Sequence, residues 1–123
     1  MATANAAATL ARADDWVADF ATQEMKVLSG ANVLVTHTLA GFVTSNDSND
    51  ALATANAISD ETITGAGTQT ADSATISDGT KTYTLSVGTT GSGADLILST
   101  LTYINGETSS INSLVARFKS ASA

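Results

Sequence analysis

Ser73-Ala74-Thr75-Ile76-Ser77-Asp78-Gly79-Thr80-Lys81-Thr82-Tyr83-Thr84-Leu85-Ser86-Val87 is the stretch that decides the fold class. Asp78-Gly79 lies between two β-prone runs, and that dipeptide suits the positive φ of a hairpin turn. In the second run Lys81, Tyr83, Leu85 and Val87 fall on one face, while Thr80, Thr82, Thr84 and Ser86 fall on the other. This period of two predicts a half-exposed sheet with a threonine surface.

The β pattern continues toward the C-terminus. Gly88 to Gly93 reads as a flexible connection, Ala94 to Ile104 as a further β-prone run, and Asn105-Gly106 as a turn. Ile111 to Phe118 reads as a closing strand, with Leu114, Ala116 and Phe118 facing one way and Ile111, Ser113, Val115 and Arg117 the other. Upstream, Val33 to Leu39 predicts another strand, with Val33, Val35, His37 and Leu39 on one face. The run Ser45 to Asp50 is made of turn formers. Ala51 to Ile58 reads as a short helical turn, and Thr62 to Thr70 as a loop or irregular edge strand.

The N-terminal zone differs. From about Asn5 to Leu28 it is rich in Ala, Leu, Arg, Glu, Met and Lys, which favour helix. Leu10, Ala13, Val17, Phe20 and Glu24 recur at spacings of three and four, with Trp16 on the same edge. Thr3, Asn5 and Thr9 are candidate caps, and Ser29-Gly30 is a natural stop. The expected architecture is mainly β: a small β-sandwich or barrel-like domain with an N-terminal α-helix. Residues 1–30 form a helical segment that packs on or anchors the domain, and residues 31–123 form the β-rich part.

A length of 123 residues fits one domain. The apolar fraction is 43%, but much of it is alanine, and only three Phe, two Tyr and one Trp are present. Small side chains remove little apolar area, at about 25 cal/mol per Å². The core is therefore expected to be thin, and thin cores lean on neighbours. Proline is absent and lysine occurs at only three positions, so the common guards of sheet edges are scarce. Either loops and the helix cover those edges, or a partner chain does.

The formal net charge of -7 argues against phosphate-rich partners. Arg117 and Lys119 are the nearest approach to a basic cluster, so neither nucleic acid nor membrane is expected as a partner. Cysteine is absent, which excludes disulfides, thiolate metal sites and thiol nucleophiles. No run is long and apolar enough to span a bilayer. The start at Met1 lacks the pattern of a secretory leader, so synthesis in a cytoplasm is expected.

The chemistry-bearing residues have plain readings. His37, the only histidine, sits in mid-strand and reads as an ordinary strand residue, half-buried and hydrogen-bonded. The acid pairs Asp14 and Asp15, Asp47 and Asp50, and Asp60 and Glu61 lie in polar sequence, without the apolar surround that raises a catalytic acid. Asn46, Ser48 and Asp50 alternate as oxygen donors, but the twelve-residue calcium-loop register fails. The Asn46-Asp47-Ser48 glycosylation sequon reads as chance. Gly88, Gly91 and Gly93 precede a strand, unlike phosphate-cradling loops. No catalytic, cofactor or metal residues are assigned. Leu10, Trp16, Val17 and Phe20 are the candidate assembly-interface residues.

The segment 86–118 carries a resemblance. Val87, Gly88, Gly93, Asp95, Leu96 and Leu98, then Ile104, Gly106, Ile111 and Ser113, follow a pattern that resembles the end of a group of small tailed-bacteriophage proteins. Those look like virion accessory proteins, so the resemblance implies no catalytic residues. It implies a non-enzymatic virion protein, made in the host cytoplasm. Such a protein decorates or cements a capsid by binding identical copies and a major capsid or tail protein. The alternatives are a minor tail component or a carbohydrate- or receptor-binding module of a fibre. The N-terminal helix departs from the group.

Overall fold

The computed structural model describes residues 5–120. Helix α1 spans Ala6–Phe20. Asn5 is its N-cap, with extended backbone and a side-chain oxygen that accepts from the Ala8 N–H at 2.9 Å. Thr3 lies outside the described residues. The helix does not continue to Leu28 as its composition predicts. Glu24–Ser29 is instead strand β1, a central strand with Met25 and Val27 buried and Glu24 and Lys26 exposed. Neighbours on both sides satisfy its backbone, and this outweighs the few tenths of a kcal/mol by which Glu, Met and Lys favour helix. The division expected at residue 30 thus falls in the turn after β1, where Gly30 has φ +58°.

The remaining strands are β2 (Asn32–Thr38), β3 (Phe42–Asp47), β4 (Asp50–Ala55), β5 (Glu61–Thr62), β6 (Thr68–Thr70), β7 (Ser73–Ser77), β8 (Thr82–Leu85), β9 (Val87–Gly88), β10 (Leu96–Leu98), β11 (Thr102–Ile104), β12 (Thr108–Ser109) and β13 (Ile111–Phe118). One sheet has the antiparallel order β2-β1-β7-β8. The other has the order β3-β4-β13-β10-β9, antiparallel except for the β9–β10 pair. Two small ribbons, β11-β6 and β12-β5, complete a β-sandwich-like domain of mainly β structure with one N-terminal helix.

The Asp78-Gly79 hairpin forms, with Ser77 opposite Thr82 and Gly79 at φ +95°. The closing strand also has the expected faces, with Leu114 and Ala116 buried and Ser113 and Arg117 exposed. Three local expectations fail. Ala51 to Ile58 is largely strand, because β4 lies between β3 and β13 and uses its alternation to bury Ala51 and Ala53. Within the polar run Ser45 to Asp50, only Ser48 and Asn49 form the turn. Val33 faces away from Val35: Val27 opposes Val35 while Leu28 opposes Val33, so Leu34 is an extra, bulged residue. Val33 is therefore exposed while Leu34 and Val35 are both buried.

The core lies between the sheets. Met25, Val27, Ile76 and Leu85 from the first face Leu96, Leu98 and Leu114 from the second. Helix α1 covers the rest of the second sheet's inner face, over β3, β4 and β13. There the packing is small on small: Thr9 and Ala13 of the helix and Ala51 and Ala53 of β4 are all fully buried. These short side chains let the helix come close to the sheet. Trp16 supplies the bulk, with ring centroids 5.0 Å from Phe42, 5.3 Å from Phe20, 5.3 Å from Tyr83 and 5.8 Å from Phe118. Tyr83 belongs to one sheet and Phe42 and Phe118 to the other, so Trp16 joins both.

Candidate functional site

His37 is fully buried, more so than a half-exposed strand residue. Its Nδ1 lies 3.0 Å from the Ser59 carbonyl oxygen, its Nε2 lies 2.9 Å from Ser109 Oγ, and Tyr103 Oη lies 3.0 Å from the same Oγ. A carbonyl can only accept, so Nδ1 carries a proton. In the neutral ring Nε2 then accepts from Ser109, which in turn accepts from Tyr103. Burial pushes the Tyr103 hydroxyl pKa up and keeps its proton in place as a donor. A hydroxyl beside an imidazole is a nucleophile's starting geometry. Here all three side chains are enclosed, and the outer partner is a backbone carbonyl rather than a carboxylate. The chain of bonds joins β2, β11, β12 and the Ser59 loop, which ties the small ribbons to the first sheet.

Two of the acidic candidates, Asp47 and Asp50, are engaged in ion pairs. Asp47 and Asp50 hold Arg117 at 2.7 and 2.9 Å. The Ser120 backbone N–H donates to Asp50 at 2.8 Å and, with Arg117 beside it, holds that carboxyl below the usual carboxylate range. The two C-terminal cations, Arg117 and Lys119, are thus matched by two carboxylates. The Asn46 amide donates to the carbonyls of Ala6 and Asp50, so it is not turned toward a shared cation site with Ser48 and Asp50. Among the described residues no group of three or more His, Asp or Glu is arranged to hold a metal ion, and no helix is long and apolar enough to cross a membrane.

The glycine-rich segment has a packing role. A Cβ at Gly88 would lie 2.2 Å from Ser92 Oγ and 2.7 Å from Ser92 Cβ, so the loop returns directly over the glycine. Asp95 then accepts from the Ser86 N–H, and the Leu96 N–H donates to the Ser86 carbonyl. These bonds align β9 and β10 in parallel.

Among the candidate interface residues, Trp16 and Phe20 are buried in the chain's own core, and Leu10 and Val17 are half-buried. The helix is a cover for its own sheet. The surface that composition did not single out is the outer side of the second sheet and its β3 edge. Val43, the second residue of β3, is 61% exposed, the highest value among the exposed large hydrophobic side chains. The register sets Val43 beside Thr54 and Val115, and Ser45 beside Leu52 and Arg117. The β-prone residues Phe42-Val43-Thr44 carried a strand signal, but the polar residues after them read as the start of a turn. The outer face of the first sheet is different, with Thr36, Thr75 and Thr84 in one row around Lys26.

Comparison with protein-family models, with curated proteins and with solved structures finds no match.

Proposed function

We propose that this chain is a non-enzymatic structural protein of a bacteriophage virion, which decorates or stabilises the capsid by binding the major shell protein. The observation that carries this reading is the β3 edge, a strand that opens on Phe42 and the exposed Val43 and is paired on one side only among the described residues. Such an edge is a ready template for another chain. Two further features support it. The hydroxyl–imidazole group is sealed inside, and the aromatic side chains serve the core: Tyr103 is buried and Tyr83 packs on Trp16. A sugar-binding face built on those tyrosines has no support here. Many equivalent weak contacts on a shell would add by avidity, and the net charge of -7 would keep free copies soluble until they assemble.

The test is co-sedimentation of the purified chain with capsid shells, alongside its mass in solution. Saturable binding at a fixed copy number per shell subunit is the expected result. Saturable binding to tails instead would move the protein to a tail position. A monomer that binds neither shells nor tails would end the structural reading.

A further inference from the structure

The parity of the β3–β4 hairpin determines which β3 groups are available. Asp47 opposes Asp50 across the two-residue turn. At the other end the Asn56 N–H donates to the Gly41 carbonyl at 2.9 Å. The odd-numbered residues therefore bond to β4, and the N–H and C=O groups of Phe42, Thr44 and Asn46 face outward. Among the described residues none of these six groups has another partner.

The other edges are shorter or partly covered. On β2, the N–H groups of Thr64 and Gly65 both reach the Leu34 carbonyl at 2.9 Å. Strand β9 has two residues and β8 has four. Strand β3 has six, with no proline, lysine or bulge along it.

Charge indicates what fits. Asp14 of the helix accepts from the Thr44 hydroxyl at 2.7 Å, directly beside the open edge. No cation among the described residues lies within ion-pair distance of it, whereas Asp47 already has Arg117. A second copy pairing antiparallel about Thr44 would bring two Asp14 carboxylates together, on chains of net charge -7 each. Such pairing is opposed by like charge. A strand with Lys or Arg opposite Thr44 would meet the same carboxylate as a counter-charge. We infer that the β3 edge accepts an extended basic segment of a different protein as an added strand, with a cation of that segment seated beside Asp14. This rests on the assembly reading above and names the partner chemistry it requires.

The test uses two capped heptapeptides of alternating valine and threonine, one with a central lysine and one with a central glutamate. Amide NMR of the full chain should show the lysine peptide shifting Phe42, Thr44 and Asn46. The glutamate peptide should bind at least about tenfold more weakly. Thr44→Pro removes an outward N–H and no ladder bond, so it should abolish binding while circular dichroism stays native. Asp14→Asn should remove the preference for lysine, which keeps the test decisive if the proline variant misfolds. Equal binding of both peptides, shifts away from β3, or a dimer that already protects these amides would overturn the inference. Shell co-sedimentation separates the two claims. If wild type and Thr44→Pro both bind shells, the edge proposal fails and the assembly reading stands. If neither binds shells or tails, the assembly reading falls.

Discussion

Replacing Trp16 tests the central packing claim, because its two terms have opposite signs. Trp16 is 8% exposed and touches four aromatic rings from both sheets and the helix. A buried aromatic side chain removes roughly 150–250 Å² from water. At about 25 cal/mol per Å² this is worth roughly 4–6 kcal/mol as an upper bound. Trp16→Ala should therefore cost about 3–5 kcal/mol, a large part of a total stability of about 5–15 kcal/mol. The indole Nε1 is buried and has no hydrogen-bond partner. Leaving such a donor unsatisfied costs about 1–3 kcal/mol. Trp16→Phe loses part of the ring but also removes that donor, so its net cost should fall below about 1.5 kcal/mol. The assay is urea unfolding followed by far-UV circular dichroism, since the only tryptophan is the residue replaced. With m of about 2 kcal/mol per M, the alanine variant should lower the midpoint by about 1.5–2.5 M. A loss under about 1 kcal/mol for Trp16→Ala would refute the helix as a core element. A loss above about 3 kcal/mol for Trp16→Phe would refute the unsatisfied indole.

Three further expectations follow from other parts of the fold. Ser109→Ala strips the partner from both His37 Nε2 and Tyr103 Oη, and should cost about 2–4 kcal/mol in urea unfolding, against under about 0.5 kcal/mol for the less buried Thr108→Ala. Gly88→Ala places a methyl 2.2 Å from Ser92 Oγ and should destabilise; Ser92→Gly in the same chain should recover much of the loss, a coupling that a double-mutant cycle measures. The Asp50 carboxyl titrates below its ordinary value in the folded chain, held there by the Ser120 N–H and Arg117. Its contribution is therefore present above the unfolded pKa near 4 and lost as pH falls through the lower folded value. Asp50→Asn should be less stable than wild type at pH 7, with the gap closing below about pH 4 in thermal melts.

Much of the fold was legible locally. The Asp78-Gly79 hairpin, the closing strand Ile111–Phe118 and the helix around Trp16 rest on turn chemistry and on periods of 2 and 3.6, which neighbouring residues carry by themselves. Such signals mark an element without saying what lies beside it. Glu24–Ser29 and Asp50–Ala55 contain helix-favouring residues and became strands, because each sits between two other strands that satisfy its backbone. The bulge at Leu34 likewise depends on how β1 and β2 pair, and it reverses the face of Val33.

The same division holds for the candidate site. Composition by itself determined that the chain is acidic, without thiols, and poor in lysine and proline, the usual guards of strand edges. It did not say which edge lacks cover, or that Trp16 and Phe20 would be used up inside the domain. Those outcomes depend on contacts between residues distant in sequence: Thr44 with Asp14, Trp16 with Tyr83, and Ser109 with His37. Only the tertiary structure decides them, because local propensities are worth tenths of a kcal/mol per residue, while burial and pairing across the core are worth several.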